Sequence, residues 1–263
     1  MTDLLIDAAE EWLGIVANPD DVQKLETYIL DNYGYADQNI INRVFSTGEA
    51  VGFLTVNETY FFREPAHFVL LRDFLHLYEN SEIRILSAAT ATGCEAYSIA
   101  MLIEAYNRGI KKPVSYHIDA FDINPQVIEA ACKGIYRQGV LREDGSCFRY
   151  MIDPYLNKND NMYMIDPSLK NNIYFFVHNL MNELPMNGYD FIFFRNAFIY
   201  ISARYRERVL SNLTAGLKEG GTLIMGVSET AAASHADLEG KNTDDVFYFQ
   251  KLKSSIYSSQ NVI

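Results

Sequence analysis

Two stretches, TYFFREPAHF (residues 59–68) and DFIFFRNAFIY (190–200), each set an arginine directly behind a pair of phenylalanines. A guanidinium presents five N–H donors in a planar fork that matches a carboxylate. Arg63 and Arg195 are therefore either surface residues beside core aromatics or arginines wedged at the mouth of a site where a carboxylate can meet them. Asp122 closes the stretch IDAFDIN, and an acid there can accept two hydrogen bonds from a ribose diol. It can equally cap the next helix, a role for which Asn124 is better placed. AATATGCE (88–95) is rich in small residues but holds one glycine, not GxGxxG. It lets a ligand approach the backbone without cradling a pyrophosphate, and a plain tight turn explains it as well. Asn179, after YFFVH, suits an adenine edge or an ordinary loop. The five histidines (67, 76, 117, 178 and 235) show neither metal-ligand spacing nor a triad with serine or cysteine. His117 reads as a satisfied core residue. Cys94 opens a helix whose dipole would lower a thiol pKa, but it has no partner in sequence. The residues point to neither a metal site nor covalent catalysis.

The elements that must position these groups follow from periodicity. Residues 3–16, 20–32 and 37–47 repeat as helices, with Asn18-Pro19-Asp20-Asp21 stopping one and capping the next. From residue 83 strands and helices alternate: strand 83–89, helix 94–109, strand 115–121, helix 125–134 with Pro125 in its first turn, strands 173–179 and 189–194, helix 203–221, and strands 222–227 and 245–252. Such alternation predicts an α/β fold with a doubly wound, mostly parallel sheet. Residues 140–172 break the pattern and read as a small antiparallel β excursion. The expected division is a small helical N-terminal domain over 1–56 and a main domain over 57–263. Ligands of a doubly wound sheet sit beyond the carboxyl ends of its strands. That rule gathers Thr90–Glu95, Asp122–Pro125, Asn179–Leu180 and Arg195–Tyr200.

The chain has 263 residues, 49% of them hydrophobic, and a formal net charge of −12. It can bury a sizeable core, and its charge argues against nucleic acid or an anionic membrane as main partner. Cys94, Cys132 and Cys147 suggest neither a disulfide framework nor a zinc site. The acidic N-terminus lacks the basic region of a signal peptide, and no apolar run approaches the roughly 18 residues of a membrane helix. A reduced, cytoplasmic protein is expected.

Six stretches in order, NETYFFRE (57–64), ILSAATATGCEAYSIAM (85–101), FDINPQVIEAACKGIYR (121–137), NLM (179–181), YDFIFFRNAFIYI (189–201) and LKEGGTLIMGVSE (217–229), together resemble the CheR family of chemotaxis methyltransferases. The likeness runs from about residue 54 to 251. It implies a class I methyltransferase, Rossmann-like fold, S-adenosylmethionine as cofactor with S-adenosylhomocysteine as product, and glutamate side chains of chemoreceptors as methyl acceptors. By the same resemblance Asn57, Thr59 and Arg63 belong to the first cofactor-binding stretch, and Glu95 faces the methionine end. Asp122 takes the ribose, Asn179 and Leu180 the adenine side, and Arg195 and Asn196 the fourth-strand loop. Arg63 and Tyr200 lie beside the transferred methyl as the catalytic pair. The implied partners are chemoreceptor cytoplasmic domains or another protein acceptor, with no nucleic acid and no direct membrane insertion. Methyl transfer to a carboxylate, already ionised near pH 7, needs no general base. The competing readings are a same-fold enzyme acting on another protein or small carboxylate, and a non-catalytic cofactor-binding module.

Some residues depart from the family pattern. Cys94-Glu95-Ala96 stands where two acids and a proline are usual, and Gly226-Val227-Ser228-Glu229 lacks the histidine of GHSE. The turn NKNDNM (157–162) has no glycine. Residues 1–56 hold ten acids against Lys24 and Arg43, where familiar members carry an arginine-rich helix.

Overall fold

The computed structural model describes residues 1–143, 145–243 and 246–253. The final ten residues of the expected 57–263 domain lie outside the described residues, as do Asp144, Asp244 and Asp245. Four helices open the chain: α1 (Thr2–Leu13), α2 (Pro19–Tyr33), α3 (Gln38–Ser46) and α4 (Val51–Leu54). Leu5, Ala8, Ala9 and Leu13 share one face of α1 at helical spacing. They meet Val22, Leu25, Ile29, Ile41 and Val44 in a core of their own. The Asn18 side chain accepts from the Asp20 N–H and starts α2, while Asp37 accepts from Ile40 N–H and starts α3.

Helix α1 stops before residue 16. Gly14 adopts φ +72° and its N–H caps Glu10 O, the turn that glycine makes without steric cost. The chain then runs antiparallel to residues 200–202: Val16 N–H donates to Tyr200 O at 2.8 Å, and Ser202 N–H donates to Gly14 O at 2.8 Å. A Cβ at Gly14 would stand 2.5 Å from Met181 Sδ, so a larger residue there would have to displace that side chain as well as strain the turn.

The main sheet is built from β1 (Glu82–Ala88), β2 (Ser115–Asp122), β6 (Ile173–Val177), β7 (Tyr189–Phe194), β8 (Leu217–Met225), β9 (Leu238–Asn242) and β10 (Phe247–Lys251), in the order β6-β2-β1-β7-β8-β10-β9. The first five pair in parallel, and β10 runs antiparallel to β8 and β9. Side chains alternate between two layers: Phe191 and Phe193 enter one core, Ile192 and Phe194 the other. Helices α5 (Pro65–Phe74) and α6 (Cys94–Asn107) belong to the first layer, and α10 (Arg206–Gly216) to the second. Helix α7 (Pro125–Lys133) begins on Pro125 with the Asn124 side chain as its cap.

The helix expected over 203–221 is shorter than its periodicity suggests. It ends at Gly216, and Leu217–Gly221 already belongs to β8, with Gly220 at φ +77° where the register against β7 shifts. The antiparallel excursion starts earlier than residue 140. Its sheet, in the order β3-β5-β4, comprises β3 (Ile135–Arg137), β4 (Leu156–Asn159) and β5 (Met162–Ile165), flanked by the short helices α8 (Arg149–Ile152) and α9 (Pro167–Lys170). His117 is not a core residue: its side chain is 41% exposed and meets Asp119 at 3.0 Å.

Candidate active site

The sheet order reverses between β1 and β7, and the loops leaving β1, β2, β6 and β7 enclose one cleft of about 1020 Å³, its open mouth included. All ten residues nominated from the sequence line it: Asn57, Thr59, Arg63, Glu95, Asp122, Asn179, Leu180, Arg195, Asn196 and Tyr200. Leu13 at the end of α1, Ile15 just beyond it, and Leu54, Phe68 and Phe121 complete apolar walls.

The backbone around the cleft is unusual. Phe62, Glu64, Ala89, Ala91 and Asn196 all have positive φ, between 50° and 58°, although none is glycine. Left-handed non-glycine residues cost of order 1 kcal/mol or more and persist where surrounding contacts over-determine them. At Ala89 and Ala91 the small side chains leave the turn after β1 open to a ligand. At Glu64 and Asn196 the turn brings two polar side chains into contact: Asn196 Nδ2 donates to Glu64 Oε1 at 2.9 Å.

The two Phe-Phe-Arg strings have different fates. Phe61, Phe62, Phe193 and Phe194 are all buried. Arg195 is buried with them, 2% exposed, over the Phe68 ring. Its Nη1 donates to Glu95 Oε2 at 3.1 Å, its Nη2 lies 3.4 Å from Glu64 Oε2, and Nη2 also donates to Arg63 O. The carboxylates it meets belong to this chain, and Arg195 is not an open anion site. Arg63 is half-buried on the cleft wall, with Nη1 donating to Glu58 O at 3.1 Å and its guanidinium 5.6 Å from the Tyr60 ring centre. No carboxylate among the described residues pairs with it.

Glu64 and Glu229 were not singled out by spacing. Burial alone would raise the Glu64 carboxyl, but His67, the Arg195 charge and the Asn196 amide together hold it well below the usual carboxylate range. Nδ1 of His67 lies 3.2 Å from Glu64 Oε2 without hydrogen-bond alignment, and burial keeps this imidazole on the neutral side. Glu229, 1% exposed, takes the N–H groups of Asn196 (2.7 Å), Gly226 (2.9 Å) and Ile199 (3.2 Å) and so fixes the loop between Arg195 and Tyr200. The acid of the GVSE stretch was the only signal available for it.

Asp122 accepts the Ala91 N–H at 2.9 Å and the Asn124 N–H at 3.0 Å, one on each oxygen. Burial pushes its carboxyl upward against these bonds. Each oxygen retains a lone pair for a second donor. Glu95 accepts from Ser87 Oγ at 2.7 Å besides Arg195, and burial pushes it upward too. The side chain of Asn179 is engaged, donating to Trp12 O and accepting from Met181 N–H, both at 2.9 Å, which ties the β6 loop to α1. Asn57 donates to Thr55, and Leu180 is buried with its carbonyl held by Asn212. Cys94 is buried and its thiol is pushed up to about 12, so the helix start does not activate it. His178 lines the cleft with a buried Nε2 that has no partner.

This lining fits S-adenosylmethionine. Asp122 offers acceptors to a diol, and the alanine turn admits close approach. Residues 57–246 match the family model described as CheR methyltransferase, SAM binding domain. The chain is 34% identical over 193 residues to the chemotaxis protein methyltransferase of Borreliella burgdorferi, covering 69% of this chain and 67% of that protein. It is 33% identical over 215 residues to the chemotaxis protein methyltransferase of Escherichia coli, covering 79% of this chain and 73% of that one. A match spanning most of the chain, on a sheet whose switch-point cleft gathers every nominated residue, makes this protein a member of the CheR family and an S-adenosylmethionine-dependent methyltransferase.

Proposed function

We propose that the enzyme methylates glutamate side-chain carboxylates of chemoreceptor cytoplasmic domains, with residues 57–263 as the catalytic domain and 1–56 as a helical N-terminal domain, acting in the cytoplasm. One observation carries this reading. Of the two arginines lining the cleft, Arg195 is ion-paired with Glu64 and Glu95, while Arg63 has no carboxylate partner among the described residues. An arginine so placed is matched to an acceptor carboxylate.

The cofactor supplies an electrophilic methyl on sulfur. Asp122 would hold the ribose, Glu95 and Arg195 the methionine end, and Asn179, Leu180 and His178 the adenine side. Arg63 orients the acceptor carboxylate, and the Tyr200 hydroxyl donates to its second oxygen to fix the attacking one. Leu13, Ile15, Leu54 and Phe68 exclude water and weaken the carboxylate's hydration. No proton leaves the acceptor, so positioning and electrostatics suffice.

Incubation with labelled S-adenosylmethionine and a chemoreceptor cytoplasmic fragment tests this directly. The expected product releases methanol in alkali, as a methyl ester does; a base-stable product would exclude the carboxylate. A second reading, another protein as acceptor, is favoured by the ten acids of residues 1–56, which repel an acidic receptor helix. Ester formation on other proteins but not on the receptor fragment would select it.

A further inference from the structure

We propose that Arg142 is a second arginine positioning the acceptor carboxylate, and that Glu58 occupies it until the acceptor arrives. The inference rests on the reading that the acceptor is a protein glutamate.

The chain on either side of Arg142 is docked onto the residues that flank Arg63. Phe61 N–H donates to Val140 O at 3.0 Å. Gly145 lies so close that a Cβ would come within 2.8 Å of Phe61 O. The Phe62 ring stacks on Phe148 with centres 4.5 Å apart, and Phe61 meets Tyr136 edge-on at 5.2 Å. The loop is thereby held in register with the Phe-Phe-Arg segment.

Its arginine converges on the same ring as Arg63. The Arg142 guanidinium lies 4.2 Å from the centre of the Tyr60 ring and that of Arg63 lies 5.6 Å from it. Tyr60 and Arg63 line the cleft, and Arg142 lies just outside that lining, against the Tyr60 ring. Glu58, which also lines the cleft, joins them: its Oε1 accepts from Arg142 Nη2 at 2.6 Å and its main-chain oxygen accepts from Arg63 Nη1. A group resident on Arg142 is thus a glutamate carboxylate, chemically the same as the proposed acceptor.

Arg142 and Glu58 are 45% and 56% exposed, and an ion pair between such side chains shifts an equilibrium by no more than about fivefold. An incoming carboxylate can therefore displace Glu58 into water at small cost and take the paired guanidinium. The exchange gives selectivity for a carboxylate over a neutral amide, because only the charged group replaces the resident charge.

The test is steady-state methylation of the receptor fragment together with adenosylhomocysteine binding. Arg142→Gln should raise KM for the fragment roughly two- to fivefold, the range of an exposed ion pair. The change should fall on KM rather than kcat, with adenosylhomocysteine affinity unchanged and the melting temperature lowered by no more than about 4 °C. Glu58→Gln should lower KM, and in the Arg142→Gln background it should have no effect on KM, since the two act through one pair. An unchanged KM in Arg142→Gln, with an active parent enzyme, overturns this inference alone. A parent enzyme that esterifies no protein carboxylate overturns the proposed function and this inference with it.

Discussion

At the scale of single residues, Asp122 is a carboxylate with a double duty. It holds the Ala91 and Asn124 N–H groups, and its remaining lone pairs are those we propose for the cofactor. Asp122→Asn keeps an acceptor oxygen for one of those N–H groups, whereas Asp122→Ala keeps none. Both should weaken adenosylhomocysteine binding by about 1–3 kcal/mol, and the alanine variant should also lose more thermal stability. Isothermal calorimetry with either variant at parental affinity would remove Asp122 from the site. Because burial raises this carboxyl, it takes up a proton at a higher pH than the ordinary aspartate value of about 3.9. Protonation removes the charge that accepts, so affinity should fall on acidification while exposed aspartates are still ionised. Affinity independent of pH down to about 4 contradicts that role. Arg63 makes a different demand. Arg63→Lys keeps the charge but not the planar fork, and methyl transfer should drop nearly as far as in Arg63→Ala. Full activity in the lysine variant would mean that charge alone is needed.

At the scale of elements, the loop from Arg195 to Tyr200 is shaped from outside itself. Glu229 collects three N–H groups, on Asn196, Gly226 and Ile199, in a buried position. Glu229→Ala should cost about 2–4 kcal/mol in denaturant unfolding, since buried donors are left unpaired. Glu229→Gln, which retains one acceptor oxygen, should cost less. A loss below about 0.5 kcal/mol for the alanine variant would show that water replaces the carboxylate. Such contacts mark where sequence reading stops. Arg63, Asp122 and Arg195 were legible because each follows an apolar run that becomes a strand or a buried Phe-Phe pair. Glu64 was not, because its partner Asn196 lies 132 residues away. The early end of α1 was overrun because apolar periodicity continues past Gly14, although that glycine's left-handed cap is itself a local stop signal. The fate of Arg195 illustrates both sides. Its wedging between phenylalanines was visible, but the carboxylates that neutralise it come from two other elements.

At the scale of the whole molecule, charge is distributed against simple electrostatic capture of an acidic partner. The net charge is −12, and residues 1–56 carry ten acids against two cations. The initial methylation rate of a receptor fragment should therefore depend weakly on ionic strength, or rise as repulsion between acidic surfaces is screened. A steep fall between low and moderate salt would reveal a basic docking face. The short pairing of residues 14–16 with 200–202 has a consequence for how this protein can be divided. The family match begins at residue 57, yet Leu13 and Ile15 line the cleft and Val16 holds the Tyr200 backbone. A chimera that borrows its first 56 residues from a relative would thus inherit a foreign wall for the cofactor cleft as well as a foreign exterior. An exchange of those 56 residues therefore reaches into the cleft and cannot alter the outer surface alone.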